Sequence, residues 1–471
     1  MKLSLFNTAS RSLEDFQPQD SKTALLYTCG PTVYAPLHLG NWSAYVRWDT
    51  LVRSLRLAGF EVRRVMNITD VGHLVSDADE GEDKMEAGAR REGQTAWQVA
   101  ERYIADFIQG MADLQLTPPQ VLARATDYIP QQIALIERLA AKGHTYIIDD
   151  GVYFDTATFK PYADFARLDL HGQHAGARVT INRQKRHPAD FALWKFSPAG
   201  KRRDMQWESP WGKGFPGWHL ECSAIALHCL GETLDIHTGG IDHIPVHHTN
   251  EIAQSEATTG RPFARFWLHN NFLLLADQKI SKSGGGGVTL QDLAGRGLAA
   301  LDFKLFVLQS HYRSEARFSW ELLTEAALRR HEFMSWAELR HQGFVSQKLG
   351  QQYRQSIAAF KNQLGNDLNT PAALAELNKM LKRVDELGAD ASAIAEAVEV
   401  VEAALGIGLG QTPDLNDEQK SLLAQRQAAR QRSDWQRSDE LRDKLASDGV
   451  IVKDAAYGQV WSRLRTEKSQ A

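Results

Sequence analysis

Three cysteines among 471 residues cannot build a disulfide framework. In a reducing compartment, clustered Cys, His and Glu more often mean metal binding or catalysis. The chain also lacks any run approaching the ~18 apolar residues that a membrane span needs. No apolar stretch precedes Phe6, Asn7 and Thr8, so neither a signal peptide nor a transmembrane helix is expected and the protein is assigned to the cytoplasm. A basic excess is missing as well. The formal net charge of −4 argues against a generally basic nucleic-acid coat, although binding RNA needs only a local basic face. Such a face is available from Arg426 onward, where ten Lys/Arg stand against seven Asp/Glu. Internal repeats are absent, and low complexity is confined to the glycines at 284–287.

What is present reads as a multidomain α/β protein. The length implies two to four domains of roughly 100–200 residues each. Residues 24–28 form a short apolar run ending at a Gly-Pro turn, and helical character follows from Asn41 through the 51–57 segment. A second strand is expected over 61–67, which completes a βαβ unit with ligands gathering at the carboxyl ends of its strands. Thr95 and Gln98 have capping-box spacing, and Val99, Tyr103, Phe107 and Met111 recur every four residues, predicting a helix to about Leu114. Strands are expected at 146–149 and 151–155, and again at 233–236 and 266–275. Helices spaced like a bundle follow, including 320–339, 356–364 and 372–384. Residues 406–413, Gly-Ile-Gly-Leu-Gly-Gln-Thr-Pro, read as a linker to a small basic module of helix and strand.

Four short runs carry chemistry. Cys29-Gly-Pro-Thr-Val-Tyr-Ala-Pro-Leu-His38-Leu-Gly40-Asn41 and, far downstream, Lys279-Ile-Ser-Lys282-Ser suit attack on the α-phosphate of ATP. That attack pushes negative charge onto the phosphates, so donors and cations must stand where the charge develops. His38 and Asn41 at a helix start supply donors beside its positive end, and Gly40 leaves room for a nucleotide. Lys279 and Lys282 bring positive charge from a second loop. Between these runs lie Trp218-His219-Leu220-Glu221-Cys222 and His247-His248-Thr249-Asn250-Glu251. Thiolate, imidazole and carboxylate are zinc ligands, and residues 247 and 251 share one face of a helix. On residue types alone, Cys29 and Cys222 are equally readable as small buried hydrophobes, and His248 remains an alternative to His247.

Taken together, these runs resemble the class I aminoacyl-tRNA synthetases and, within that class, the cysteinyl-tRNA synthetase family. The class pairs the motifs HIGH and KMSKS; here Asn41 replaces the last His and Ile280 the Met. The resemblance extends through Asn67-Ile-Thr-Asp70, Trp194-Lys195 and Asp367-Leu-Asn-Thr-Pro371 to the region from Arg426 to Asp443. It implies a split Rossmann-like catalytic domain over 1–317, with an insertion at about 118–211 and the lysine loop at 279–283. A helical tRNA-stem-contact domain over 318–405 and an anticodon-binding module over 406–471 would follow.

The same resemblance implies an activity and a set of site residues. L-cysteine and ATP, with Mg2+ as phosphate counter-ion, would give cysteinyl-adenylate, and the cysteinyl group would pass to the 3′ end of tRNA-Cys. The implied catalytic residues are His38, Asn41, Lys279 and Lys282, and the nucleotide would be held by His38, Gly40, Asn41, Gly239, Gly240, Asp242 and Lys282. Trp218 would wall the amino-acid pocket. One Zn2+ per chain would sit on Cys29, Cys222, His247 and Glu251 and distinguish cysteine from serine by bond type, which leaves Cys229 spare. The family usually has Gly where this chain has Thr238 and Glu where it has Thr249. Asp434 would belong to the anticodon reader, a plain helix-face charge being the alternative. A monomer is expected. The rival readings are a paralogous ligase joining cysteine to a small amine, and a non-catalytic RNA-binding paralogue.

Overall fold

The computed structural model describes residues 1–72, 83–168, 182–198, 203–275 and 287–464. The chain opens with the hairpin β1 (Ser4–Asn7) and β2 (Ser12–Asp15), then enters β3 (Thr23–Thr28), α1 (Leu39–Leu57) and β4 (Glu61–Ile68). Helices α2 (Lys84–Glu92) and α3 (Ala96–Asp113) lead to β5 (Val121–Arg124). Next come α4 (Ile129–Ala141), strands β6 (Thr145–Ile148), β7 (Gly151–Phe154), β8 (Phe191–Phe196) and β9 (Gly214–Pro216), and helix α5 (Trp218–Leu230). Strand β10 (Leu234–Gly240), helix α6 (Thr249–Thr259) and strand β11 (Ala264–Asn270) close the principal sheet.

That sheet has the order β11-β10-β3-β4-β5, and every pairing in it is parallel. Strand order reverses between β3 and β10, which opens a crevice at their carboxyl ends. The alternation predicted for a half-buried strand is absent from the end of β4, where residues 64–68 are all buried, as a strand covered on both faces requires. Helix α1 is enclosed likewise. Trp48, Leu51, Val52 and Leu55 pack on Leu26, Ile236 and Phe266 of the sheet, while Trp42, Tyr45 and Val46 meet Phe107 and Met111 of α3. The capping box at Thr95 and Gln98 forms as the spacing predicts.

Strands β6-β7-β8-β9 make a separate antiparallel sheet between β5 and β10. It is offset from the expected 118–211 insertion: β5 pairs with β4 in the principal sheet, and β9 extends to Pro216. The single strand expected over 266–275 is two. Strand β11 ends at Asn270, and β12 (Leu273–Leu275) joins a different sheet with β13 (Ala316–Phe318). The break is held by Asn271 N–H donating to Tyr312 O (2.9 Å) and Ala316 N–H donating to Phe272 O (3.0 Å). Helices α7 (Leu290–Gly295) and α8 (Ala300–Leu308) lie between β12 and β13.

The helical region comprises α9 (Trp320–Glu338), α10 (Gln347–Gly365), α11 (Thr370–Leu387) and α12 (Ala391–Leu405). The expected helices at 356–364 and 372–384 are the C-terminal half of the longer α10 and the middle of the longer α11. Residues 406–413 are not a free tether. Ile407 and Leu409 are fully buried, Arg340 donates to the carbonyls of Leu409, Gly410 and Thr412, and Arg53 of α1 donates to the carbonyls of Glu402 and Ala403. Glycine composition signalled a linker there because Gly406 and Gly408 adopt positive φ, which serves tight packing equally well.

Beyond it α13 (Asp417–Gln431), α14 (Trp435–Ser447) and the hairpin β14 (Val450–Ala455) and β15 (Gly458–Arg463) enclose their own core around Leu422, Leu441, Leu445 and Trp461. Asp434 is the N-cap of α14, its carboxylate accepting from Arg437 N–H (3.1 Å). Among the described residues no helix is long and apolar enough to cross a membrane.

Candidate active site and metal centre

Cys29 is the first residue beyond β3, and its neighbours show why the chain turns there. Gly30 donates its N–H to Asn67 Oδ1 (2.8 Å), and a Cβ on Gly30 would lie 1.7 Å from the Asn67 carbonyl oxygen. Only glycine lets the β3 and β4 ends approach so closely. From this turn a cavity of about 530 Å³ opens over the crevice, lined by Cys29, Asn67, Thr69, Trp218, Cys222 and His247 at its floor and by His38 and Asn41 at its rim.

At the floor, donor atoms of Cys29, Cys222, His247 and Glu251 all lie within 4.8 Å of one another. Helix α5 delivers Cys222, and the single π-helical turn Ile244–His248 running into α6 delivers His247 and Glu251. Glu251 is fully buried. Its Oε2 receives His237 Nε2 at 2.6 Å. Its Oε1 makes no hydrogen bond of good geometry, although His247 Nε2 is 2.9 Å away. A buried carboxylate oxygen left over among two thiols and an imidazole fits a tetrahedral zinc ion, whose bonds of about 2.0–2.3 Å demand ligand atoms at roughly these separations.

The electrostatics agree. Contact with Cys222 holds the Cys29 thiol well below its usual range, while the same contact and burial push Cys222 up. Burial acts against the charged form of His247, but the Glu251 carboxylate outweighs it and the imidazole is pushed up to about 10. Burial likewise acts against ionised Glu251, and His237 and His247 outweigh it, so its carboxyl is lowered. A divalent cation would replace the protons that this cluster shares.

A second overlapping set consists of Cys29, His237, His248 and Glu251. His248 is fully buried, and its Nδ1 is already bonded to His269 Nε2 (2.8 Å), which continues to Thr8 Oγ1 (2.7 Å). Burial and His237 push His248 down to about 4. Cys29 is common to both sets and lines the cavity; of the residues that differ, Cys222 and His247 also line it whereas His237 and His248 do not.

The rim is organised by a capping box. His38 is the N-cap of α1: its Nδ1 accepts from Asn41 N–H (3.3 Å), and Asn41 Oδ1 accepts from His38 N–H (3.2 Å). Because Nδ1 accepts, the neutral ring carries its proton on Nε2. Desolvation lowers the pKa of His38, which favours the neutral ring. A Cβ on Gly40 would come within 2.9 Å of the His38 ring. The glycine therefore admits the imidazole as much as any nucleotide.

Residues 15–328 match the family described as "tRNA synthetases class I (C) catalytic domain", and residues 412–461 match "Cysteinyl-tRNA ligase anticodon binding domain". Cysteine–tRNA ligase 1 of Burkholderia lata is 44% identical over 98% of this chain and 96% of its own length. The cysteine–tRNA ligase of Treponema denticola is 38% identical over 98% of this chain and 100% of its own. The chain belongs to the cysteinyl-tRNA ligase family. Its fold is also that of methionyl-tRNA synthetase from Mycobacterium tuberculosis, solved with methionyl-adenylate, at a TM-score of 0.60 and 15% identity over 86% of this chain and 96% of that one. The family is one of ATP-dependent aminoacyl-tRNA ligases.

Trp218 lines the cavity with its ring centroid 4.6 Å from that of His247. Gly239 and Gly240 end β10, and a Cβ on Gly239 would strike the His248 ring at 2.6 Å. Asp242 lies in the short turn that follows. Lys279 and Lys282 lie outside the described residues. The described segment at 287–289 reaches the rim, with Leu39 N–H donating to Val288 O (2.7 Å) and His38 forming an isolated bridge to Thr289. Cys229 lies away from the cluster, 3.5 Å from the Tyr128 hydroxyl.

Thr238 sits in β10 between Thr28 and Leu268, and Thr249 Oγ1 donates to Ile244 O (2.8 Å), stabilising the turn that presents His247. Thr69, which donates to Glu221 Oε2 (2.7 Å) and accepts from Asn67 Nδ2 (3.0 Å), was not singled out as a pocket residue from sequence. Its only signal was a place at the end of a strand next to the crevice.

Proposed function

We propose that the protein is a cysteine–tRNA ligase that activates L-cysteine with ATP and esterifies it to the 3′ end of tRNA-Cys. The observation that carries this reading is the adjacency, in one cavity, of a donor cluster with two cysteines and a helix N-terminus bearing His38 and Asn41. The floor is chemically suited to a metal and a thiol, and the rim to phosphate oxygens.

In this reading Cys29, Cys222, His247 and Glu251 hold one zinc ion, which supplies a soft acceptor for the substrate thiol. Trp218 closes the side of the pocket over His247 and restricts it to a small side chain. Asn41 Nδ2 and His38 Nε2 remain available as donors because the capping box uses only Oδ1 and Nδ1. Both donors stand at the positive end of α1, where charge grows on the ATP phosphates as the carboxylate attacks. Lys279 and Lys282, which follow β12 in sequence, add cationic charge, and Mg2+ arrives with ATP. The loop at Gly239, Gly240 and Asp242 receives the adenosine, Asp242 accepting from the ribose hydroxyls. No side chain acts as a nucleophile; positioning and electrostatics carry the rate.

We assign catalysis to residues 1–317, stem contacts to 318–405 and anticodon contacts to the module that follows. A match to an anticodon-binding family over 412–461 supports RNA as the acceptor over a small amine. The test is charging of a tRNA-Cys transcript with cysteine. Adenylate formation without transfer to any tRNA would favour the small-amine ligase.

A further inference from the structure

The cavity has one unexplained charge. Arg91 is the only lysine or arginine among the described residues that line it. It comes from α2, whose N-cap Asp83 accepts from Met85 and Glu86 N–H and whose C-cap Gly93 is left-handed. The helix is pressed onto the loop between β3 and α1: a Cβ on Gly88 would lie 2.9 Å from Tyr34 O. Three residues later on the same face, Arg91 donates from Nη2 to that same carbonyl (3.3 Å).

Its charge is poorly compensated. The neighbouring Glu92 carboxylate is already engaged by the Tyr103 hydroxyl at 2.5 Å and by Arg102 at 3.0 Å, and Arg91 reaches it only at 3.4 Å. The Arg91 side chain is 53% exposed. The guanidinium thus stands at the cavity mouth with donors to spare, in the form best suited to a phosphate.

Which phosphate it meets follows from where α2 emerges. The nucleotide-side groups are the turn after β10, the α1 N-terminus and the segment at Val288 and Thr289 that bridges to it. Helix α2 follows β4, which lies on the opposite side of β3 from β10. We infer that Arg91 contacts a backbone phosphate at the 3′ end of the incoming RNA acceptor strand. This rests on the cysteine–tRNA ligase reading. The phosphates of ATP share the same chemistry, and the assay separates the two sources.

The experiment compares the full-length protein with Arg91→Ala and Arg91→Lys, using a tRNA-Cys transcript. Single-turnover transfer from preformed cysteinyl-adenylate should weaken about tenfold at subsaturating RNA in Arg91→Ala. The slope of log affinity against log salt should become shallower by about one. Arg91→Lys should restore the salt slope and part of the transfer, since it keeps the charge and loses the fork, a rescue that a merely structural role would not give. ATP–pyrophosphate exchange without RNA should change by no more than about threefold. An equal fall in exchange would place the contact on ATP and overturn the inference, as would unchanged transfer and salt slope. Failure of the unsubstituted protein to charge RNA would instead sink the functional reading.

Discussion

Replacing Cys222 by alanine separates the two overlapping donor sets at the cavity floor. Cys222 belongs to the set with His247 and not to the set with His237 and His248. Four-ligand zinc sites bind with about 10–16 kcal/mol, or about 3–4 kcal/mol per ligand, so loss of one should weaken zinc by roughly 10²–10³-fold. Cys222 is only 2% exposed and packs with Tyr27, Ile225 and Trp267, but sulfur to hydrogen is a small deletion and should cost the fold about 1 kcal/mol. The variant should therefore stay folded while losing metal. Titration against a chelator, read by metal analysis alongside thermal melting, measures both. Stoichiometric zinc held with unchanged affinity in Cys222→Ala would refute the assignment and transfer it to His237 and His248. Cys229→Ala, remote from both sets, should retain its zinc.

His38→Ala should lose both a helix cap and a phosphate donor. Melting should report about 1 kcal/mol of destabilisation, and pyrophosphate exchange should fall by about 10²–10³; a loss of stability alone would mean that His38 only caps. Lys304 and Asp49 are paired at 2.9 Å with neither side chain exposed, so Lys304→Met should strand the carboxylate and cost about 3–5 kcal/mol in denaturant unfolding. A smaller cost would mean that Arg53, 2.7 Å from Asp49, compensates. Burial alone would raise the Asp49 pKa, but Lys304 and Arg53 outweigh it and lower it. The pair's contribution is accordingly full above the unfolded carboxylate pKa of about 3.9 and is lost as pH falls below it. Denaturant midpoints between pH 6 and 3 should fall less in Lys304→Met than in the unsubstituted chain.

The βαβ start, the capping box at Thr95 and the short strands at 145–154 were legible because period, turn residues and caps are local signals. The break between β11 and β12 was not, since residues 266–275 are continuously β-prone and only the distant Tyr312 and Ala316 decide where the chain leaves the sheet. Residues 406–413 misled for a related reason: glycine records a backbone conformation, not whether Arg53 and Arg340 bury it. At the site, residue types and family resemblance named the donor cluster, whose atoms the folded chain brings together. Of the second donor set only His237 went unnamed, because it lies on β10 and meets Glu251 only where α6 packs against the sheet. The role of Thr69 was hidden in the same way, since its partner Glu221 lies on α5.

The central claim is that this cavity selects cysteine by its thiol. Cysteine-dependent and serine-dependent ATP–pyrophosphate exchange by the zinc-loaded protein test it most directly. The account predicts a ratio of kcat/KM on the order of 10⁴ or more, the range open to a site built around one specific polar contact. A ratio near ten would show that the pocket reads only size, and would contradict it.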